Sequence, residues 1–187
     1  MSDHTVVVKL RQAVLELAST SSEGLTISAI CAAAGVSRTD FHSAAANPIQ
    51  LLGEALSDEL LSQLAQAHDD MPQGDRLRIS LNHVSRWSAI YQGPLHHELI
   101  ASLQKTLFAA LRSTNVEFMA SHPEILPAGV RADDEFAITF IASHMAGASI
   151  AAFAHWIEEG DDDIERAIEL FRALAPRHMA PLWNRTD

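Results

Sequence analysis

The stretch "TISAICAAAGVSRTDFHSA", residues 26–44, decides how this chain is read. Ile27, Ile30 and Cys31 fall on one side of a short helix, and Thr26 stands where a hydroxyl can cap its start. The Ala32–Ala33–Ala34 run keeps that helix slim, so a neighbour can cross it closely. Gly35 supplies the positive φ that a sharp corner needs, and Val36 plugs the small core beneath it. Ser37 can then cap a second short helix. Two such helices behind a supporting one form the unit that lays its second helix in the major groove of DNA. Ser37 to His42 is then the groove-facing segment.

Outward from this unit, nearly every segment has helical spacing. Val7, Leu10, Val14, Leu17 and Ala18 mark a first helix over about Thr5–Thr20, closed by "SSEG". Asn47 can cap a fourth helix that starts at Pro48 and runs to about His68, with Leu51, Leu52, Leu56, Leu60 and Leu64 on its apolar face. "DDMPQGD", residues 69–75, reads as a hinge-like loop, followed by one amphipathic helix from Arg76 to Tyr91 that Gly93–Pro94 stops. A helix over about Leu99–Ser121 follows, with Ile100, Leu103, Leu107, Leu111 and Phe118 inward. Residues 122–134 read as a loop. Two helices complete the chain: Asp133–Glu159, apolar nearly all round, and Asp161–Ala175, stopped by Pro176. There is no strand pattern and no internal repeat. The expected fold class is all-α, with a three-helix helix-turn-helix head over residues 1–47 and a larger helical body over 48–187.

The charge distribution sharpens this division. The chain has 187 residues and a net charge of −11. Residues 1–50 hold Lys9, Arg11 and Arg38 against Asp3, Glu16, Glu23 and Asp40, leaving about −1 there and about −10 in the rest. The acidity belongs to the body. A near-neutral head is a weak phosphate binder, because non-specific affinity comes from neutralised phosphates. The single cysteine, Cys31, excludes an internal disulfide and fits a reducing cytoplasm. The start "MSDHTVVVKLRQ" lacks a basic region followed by an apolar one and does not read as a signal peptide. The apolar run from Phe136 to Ile157 is long enough to span a bilayer, but Thr139, Ser143, His144, Ser149 and His155 interrupt it. It is expected to be a buried helix, with no membrane partner.

"LTISAICAAAGVSRTDFH", about two dozen residues from the N-terminus behind one amphipathic helix, resembles the head of the TetR family of bacterial transcriptional regulators. Thr26, Ile30, "AGVS" and Phe41 carry the likeness, which is close over roughly residues 7–52 and beyond that rests on helix number and length. The resemblance implies a homodimer that binds operator DNA, with a cavity in the body for a small effector and a four-helix interface from the last two long helices. The departures lie on the phosphate grip. His42 stands where the family commonly has a tyrosine, Asp40 adds a charge, Ala44 and Ala45 replace a histidine and an aromatic, and Pro48 replaces a lysine. The expected DNA-contacting residues are Thr26, Ser37, Arg38, Thr39 and His42, with Arg38 on a base edge or phosphate and the others donating hydrogen bonds to the DNA backbone.

In the body, His83, Trp87 and Tyr91 fall on successive turns of one expected helix, and Phe108, Asn115 and Met119 along another. Packed together they line an apolar pocket with a few polar contacts, the usual makeup of a small-molecule site. The small residues in "SHMAGASIAAFAHW" permit close helix approach, and the four-helix interface that the resemblance implies would place Gly147, Ala151, Phe153 and Trp156, with Ile168 and Phe171 of the next helix, near a dimer interface. His96 and His97 are adjacent and make a poor metal pair, Cys31 has no local base, and "EEGDDD" suits a helix start. No catalytic triad spacing, phosphate loop or zinc motif is present, so no cofactor, metal or enzymatic activity is expected. The reading is a cytoplasmic regulator, a repressor released by a small apolar ligand. Its alternative is a binding module of the same fold that has lost DNA binding.

Overall fold

The computed structural model describes residues 3–20, 25–66, 71–160, 162–175 and 183. Among these it is all-helical, without strands: α1 Asp3–Thr20, α2 Ile27–Ala34, α3 Arg38–Ala44, α4 Pro48–Ala65, α5 Gln73–Arg86, α6 Ser88–Tyr91, α7 His96–Ser121, α8 Glu135–Glu159 and α9 Ile164–Leu174. The expected stops at "SSEG" and Pro176, the end of the fourth helix at His68, and Asp69, Asp70 and Asp161 lie outside the described residues.

Local capping sets most of the starts. Asn47 accepts from the Gln50 amide at 2.9 Å ahead of Pro48, Asp134 from Ala137 at 3.0 Å ahead of α8, and Asp163 from Arg166 at 3.0 Å ahead of α9. Two helices begin earlier than their sequence suggests. Gln73–Asp75 belong to α5 behind Pro72, which shortens the expected hinge, and α7 takes in His96–Glu98. The single helix expected over residues 76–91 is broken at Trp87, whose φ of −102° and ψ of 20° separate α5 from α6. The Trp87 indole donates to Glu59 of α4 at 3.2 Å, a partner far away in sequence. Within the expected loop 122–134, Pro123–Ile125 make one 3-10 turn that buries Ile125.

One apolar cluster runs through the head and into the body. Leu10, Val14, Ile30 and Phe41 join Leu51, Leu52 and Leu56 of α4, and the cluster continues to Val84, Leu99, Leu103 and Ile157. Helix α4 therefore belongs to both parts. It crosses α7 so closely at Gly53 that a Cβ there would stand 2.8 Å from Ser102 Oγ. Helices α7 and α8 run antiparallel: Asn115 lies beside Ala142, and Phe108 beside Gly147. Helix α9 packs mainly on α5, where Leu77, Leu81, Ala167 and Ile168 form a separate core and Arg78 pairs with Glu165. The last two helices thus turn to different partners within the chain.

Candidate nucleic-acid interface and internal cavity

The head is held together by short-range hydrogen bonds. Thr26 Oγ1 accepts from the Ala29 amide at 3.2 Å, and Gly35 sits at φ 64°, ψ 40°, the left-handed region. A Cβ at Gly35 would meet nothing within 4 Å, so backbone conformation alone demands glycine there. Ser37 and Asp40 form a capping box: the Asp40 amide donates to Ser37 Oγ at 3.1 Å, and the Ser37 amide to Asp40 Oδ2 at 3.0 Å. Hydrogen bonds from the Ser37 hydroxyl and then its amide hold the Asp40 carboxyl below its ordinary pKa. The negative charge that looked like a departure in sequence is thus the N-terminal clamp of α3.

With Phe41 fully buried, α3 turns Arg38, Thr39 and His42 outward, and Ser37 and Thr26 are exposed beside them. All five expected contact residues are therefore on the surface. The expectation that Ser37 donates to DNA needs correction, because its hydroxyl donates to Asp40 Oδ2 at 2.7 Å. Thr26 differs: its oxygen serves the cap while its proton is not needed there. Arg11 is also committed. It pairs with Asp58 and lies 3.8 Å from Glu54, both on α4. Of the three cations before residue 50, Lys9 and Arg38 are exposed on the head, and Arg11 serves to fix α1 on α4.

In the body, an apolar cavity of about 80 Å³ lies between α4, α5, α7 and α8, walled by leucines such as Leu60, Leu64, Leu103 and Leu107 together with Ile150 and Phe153. Of the six expected pocket residues, Tyr91 borders it. His83 and Trp87 do not share that wall but belong to a polar network behind it. His83 Nε2 lies 3.2 Å from the Tyr91 hydroxyl, and Glu59 Oε1 receives Trp87 Nε1 at 3.2 Å, Arg86 at 3.3 Å and Gln63 at 3.2 Å. Burial lowers the His83 pKa, opposed by Glu59 and reinforced by Arg86, and burial likewise raises the Tyr91 hydroxyl far above its ordinary value. Phe108 rests against Gly147, and Asn115 reaches the Ala142 carbonyl at 3.5 Å. Met119 sits in a second core with Ile125, Ile138 and Ala142. These three face α8: Phe108 lies between the cavity-lining Leu107 and Leu111 but on another side of α7, and Asn115 and Met119 lie beyond the cavity. The leucine walls had a sequence signal, the inward stripe at helical spacing, but it does not say which leucines leave space. A second hollow of about 170 Å³ lies between the end of α1 and α6, lined by Ala18, Thr20, Leu52 and Ile90.

The expected interface residues are also redistributed. Ile168 is buried against Leu77 and Leu81, and Phe153 contacts Phe171 with ring centres 5.4 Å apart, so these aromatics serve the chain's own core. Trp156 is partly buried in the same cluster, Gly147 partly covered and Ala151 exposed. What α8 leaves outward is a different stripe: Phe136 at 80% exposure and Phe140 at 66%, continued by His144, Ala148, Ala151 and His155. On α9, Leu170 and Leu174 are exposed as well. The expectation of a buried helix over residues 136–157 is therefore corrected. Among the described residues, α8 is the one helix long and apolar enough by composition to cross a membrane; Ile138, Ala142, Ala146 and Ile157 are buried, one side is exposed, and the rest of its apolar stretch is half-covered. Compared with models of known protein families and with curated proteins, the chain matches none.

Proposed function

We propose that this protein is a homodimeric, cytoplasmic, ligand-responsive transcriptional regulator of TetR type, acting as a repressor. The observation that carries the reading is the α2–Gly35–α3 unit, whose caps fix the crossing of the two helices and leave Arg38, Thr39 and His42 outward on α3. Such a helix, steadied by α1, suits a major groove. Two copies related by a twofold axis double the contacts of each weakly charged head. The α8 stripe supplies a surface for that pairing: burying an exposed aromatic is worth roughly 1.5–3 kcal/mol, and Ala148 and Ala151 let a second helix come close. A second copy suits this stripe better than a bilayer, since Glu135, Glu158 and Glu159 end the helix and His144 and His155 interrupt its exposed side. An apolar effector in the body's cavity shifts the population toward a head separation that no longer fits successive grooves.

Selection of bound fragments from genomic DNA, followed by gel shifts at low salt, tests the DNA-binding half. Arg38→Ala is expected to weaken binding by about 1–3 kcal/mol for each base-edge pair lost, in both subunits. Salt dependence is expected to be shallow, because few phosphates are neutralised. Failure of the wild type to retain any fragment, with no rescue by Pro48→Lys, overturns the reading. One observation favours the alternative, a ligand-binding module that has lost DNA binding: Arg11, a third of the head's cations, is held by α4 carboxylates.

A further inference from the structure

The network behind the cavity fixes the direction of its hydrogen bonds. Buried neutral imidazole carries one N–H and one bare nitrogen, and the surroundings choose which is which. His83 is 2% exposed, and its Nδ1 has no hydrogen-bond partner among the described residues, but Glu59 Oε1 stands 3.7 Å away. A carboxylate oxygen attracts an N–H dipole and repels a lone pair at that distance, so the proton belongs on Nδ1. Nε2 is then the acceptor, and the Tyr91 O–H at 3.2 Å must donate to it. The phenolic proton is thereby spent inside the protein. Only lone pairs of the Tyr91 oxygen remain to offer.

The other polar groups of the wall do not change this. Ser80 donates its hydroxyl to the Arg76 carbonyl at 3.4 Å, leaving lone pairs there too, and Gln104, exposed at the edge of the lining, offers both donor and acceptor and so favours neither class. Tyr91, 3% exposed, is the buried polar member of the lining. We infer that the cavity selects small apolar molecules that present a hydrogen-bond donor, such as an aliphatic alcohol, over equally sized molecules that can only accept. A ketone oxygen in this site meets lone pairs and loses its water without replacement, the asymmetry by which buried polar groups discriminate. Apolar walls otherwise accept guests of either kind. The inference rests on reading the body as an effector site. Its measurement uses protein alone, so its failure is distinct from a failure to bind DNA.

The test compares 1-pentanol with 2-pentanone, matched in heavy-atom count, by titration into the full-length protein labelled at leucine methyls and tyrosine rings. The chain contains a single tyrosine, so one ring signal reports the site directly. The alcohol is expected to bind about fivefold or more tightly than the ketone and to shift the Tyr91 signal. Tyr91→Phe, which keeps the ring, is expected to bind both, within about twofold of each other by the methyl signals. His83→Leu frees the phenolic proton and is expected to move preference toward the ketone. Equal binding or ketone preference in the wild type overturns the inference, as does an alcohol preference that survives Tyr91→Phe. Absence of binding by both probes overturns it as well.

Discussion

The head and the outer side of α8 are both exposed, yet they answer to opposite demands. On the head, apolar side chains other than Val8 mostly point inward, Phe41 is fully buried, and Thr26, Ser37, Arg38, Thr39 and His42 are exposed around local caps. On α8, Phe136 and Phe140 stand outward beside each other with ring centres 6.2 Å apart, and nothing among the described residues covers them. The first region is complete as a packing problem and polar where it meets its surroundings. The second is incomplete and apolar. A region that has satisfied its own core can be specialised on its surface; one that has not must find cover before it can do anything else.

The contrast is broken most forcefully at Phe41. Phe41→Ala is expected to cost about 3–5 kcal/mol in denaturant unfolding, because the cavity opens in a core shared by α1, α2 and α4. A loss below about 1 kcal/mol would mean that the head is loosely packed after all. On the other region, Phe136→Ser combined with Phe140→Ser is expected to convert a dimer to a monomer in light scattering at micromolar concentration, at a cost of about 2 kcal/mol or more of association. Folding stability of each chain should move by less than about 0.5 kcal/mol, since these rings are exposed within it. A dimer that persists places its interface elsewhere.

Two smaller effects sharpen the head's side of the comparison. Gly35→Ala meets no steric neighbour, so its expected cost of about 1–2 kcal/mol is that of the left-handed backbone alone. The smallest effect concerns Asp40, whose folded pKa is lowered by Ser37. Its stabilisation is present above the ordinary aspartate pKa of about 3.9 and is lost as pH falls through the lower folded value. An acid unfolding series should show the wild type losing this increment over that window, while Asp40→Asn shows no such step.

What was legible in the sequence follows the range of the forces involved. Thr26, Gly35, Ser37, Asn47 and Pro48 act on amides within a few residues, so their roles could be read directly and hold in the structure. The break at Trp87 could not, because its partner Glu59 is 28 residues away on another helix. The engagement of Arg11 by Asp58 spans 47 residues and was hidden for the same reason. For the cavity, periodicity marks which side chains face inward and not how three or four helices leave a gap. Ile168 was expected near a dimer interface from the resemblance alone, and only the docking of α9 on α5 shows that the chain's own core covers it.

The crossing of α4 over α7 at Gly53 has a mechanical meaning. At a rise of about 1.5 Å per residue, Pro48 lies about 8 Å to one side of that contact and Leu64 about 17 Å to the other. The same helix meets the head at one end and lines the cavity at the other, so a side chain added at Gly53, 2.8 Å from Ser102 Oγ, would push α4 away from α7 at a point between them.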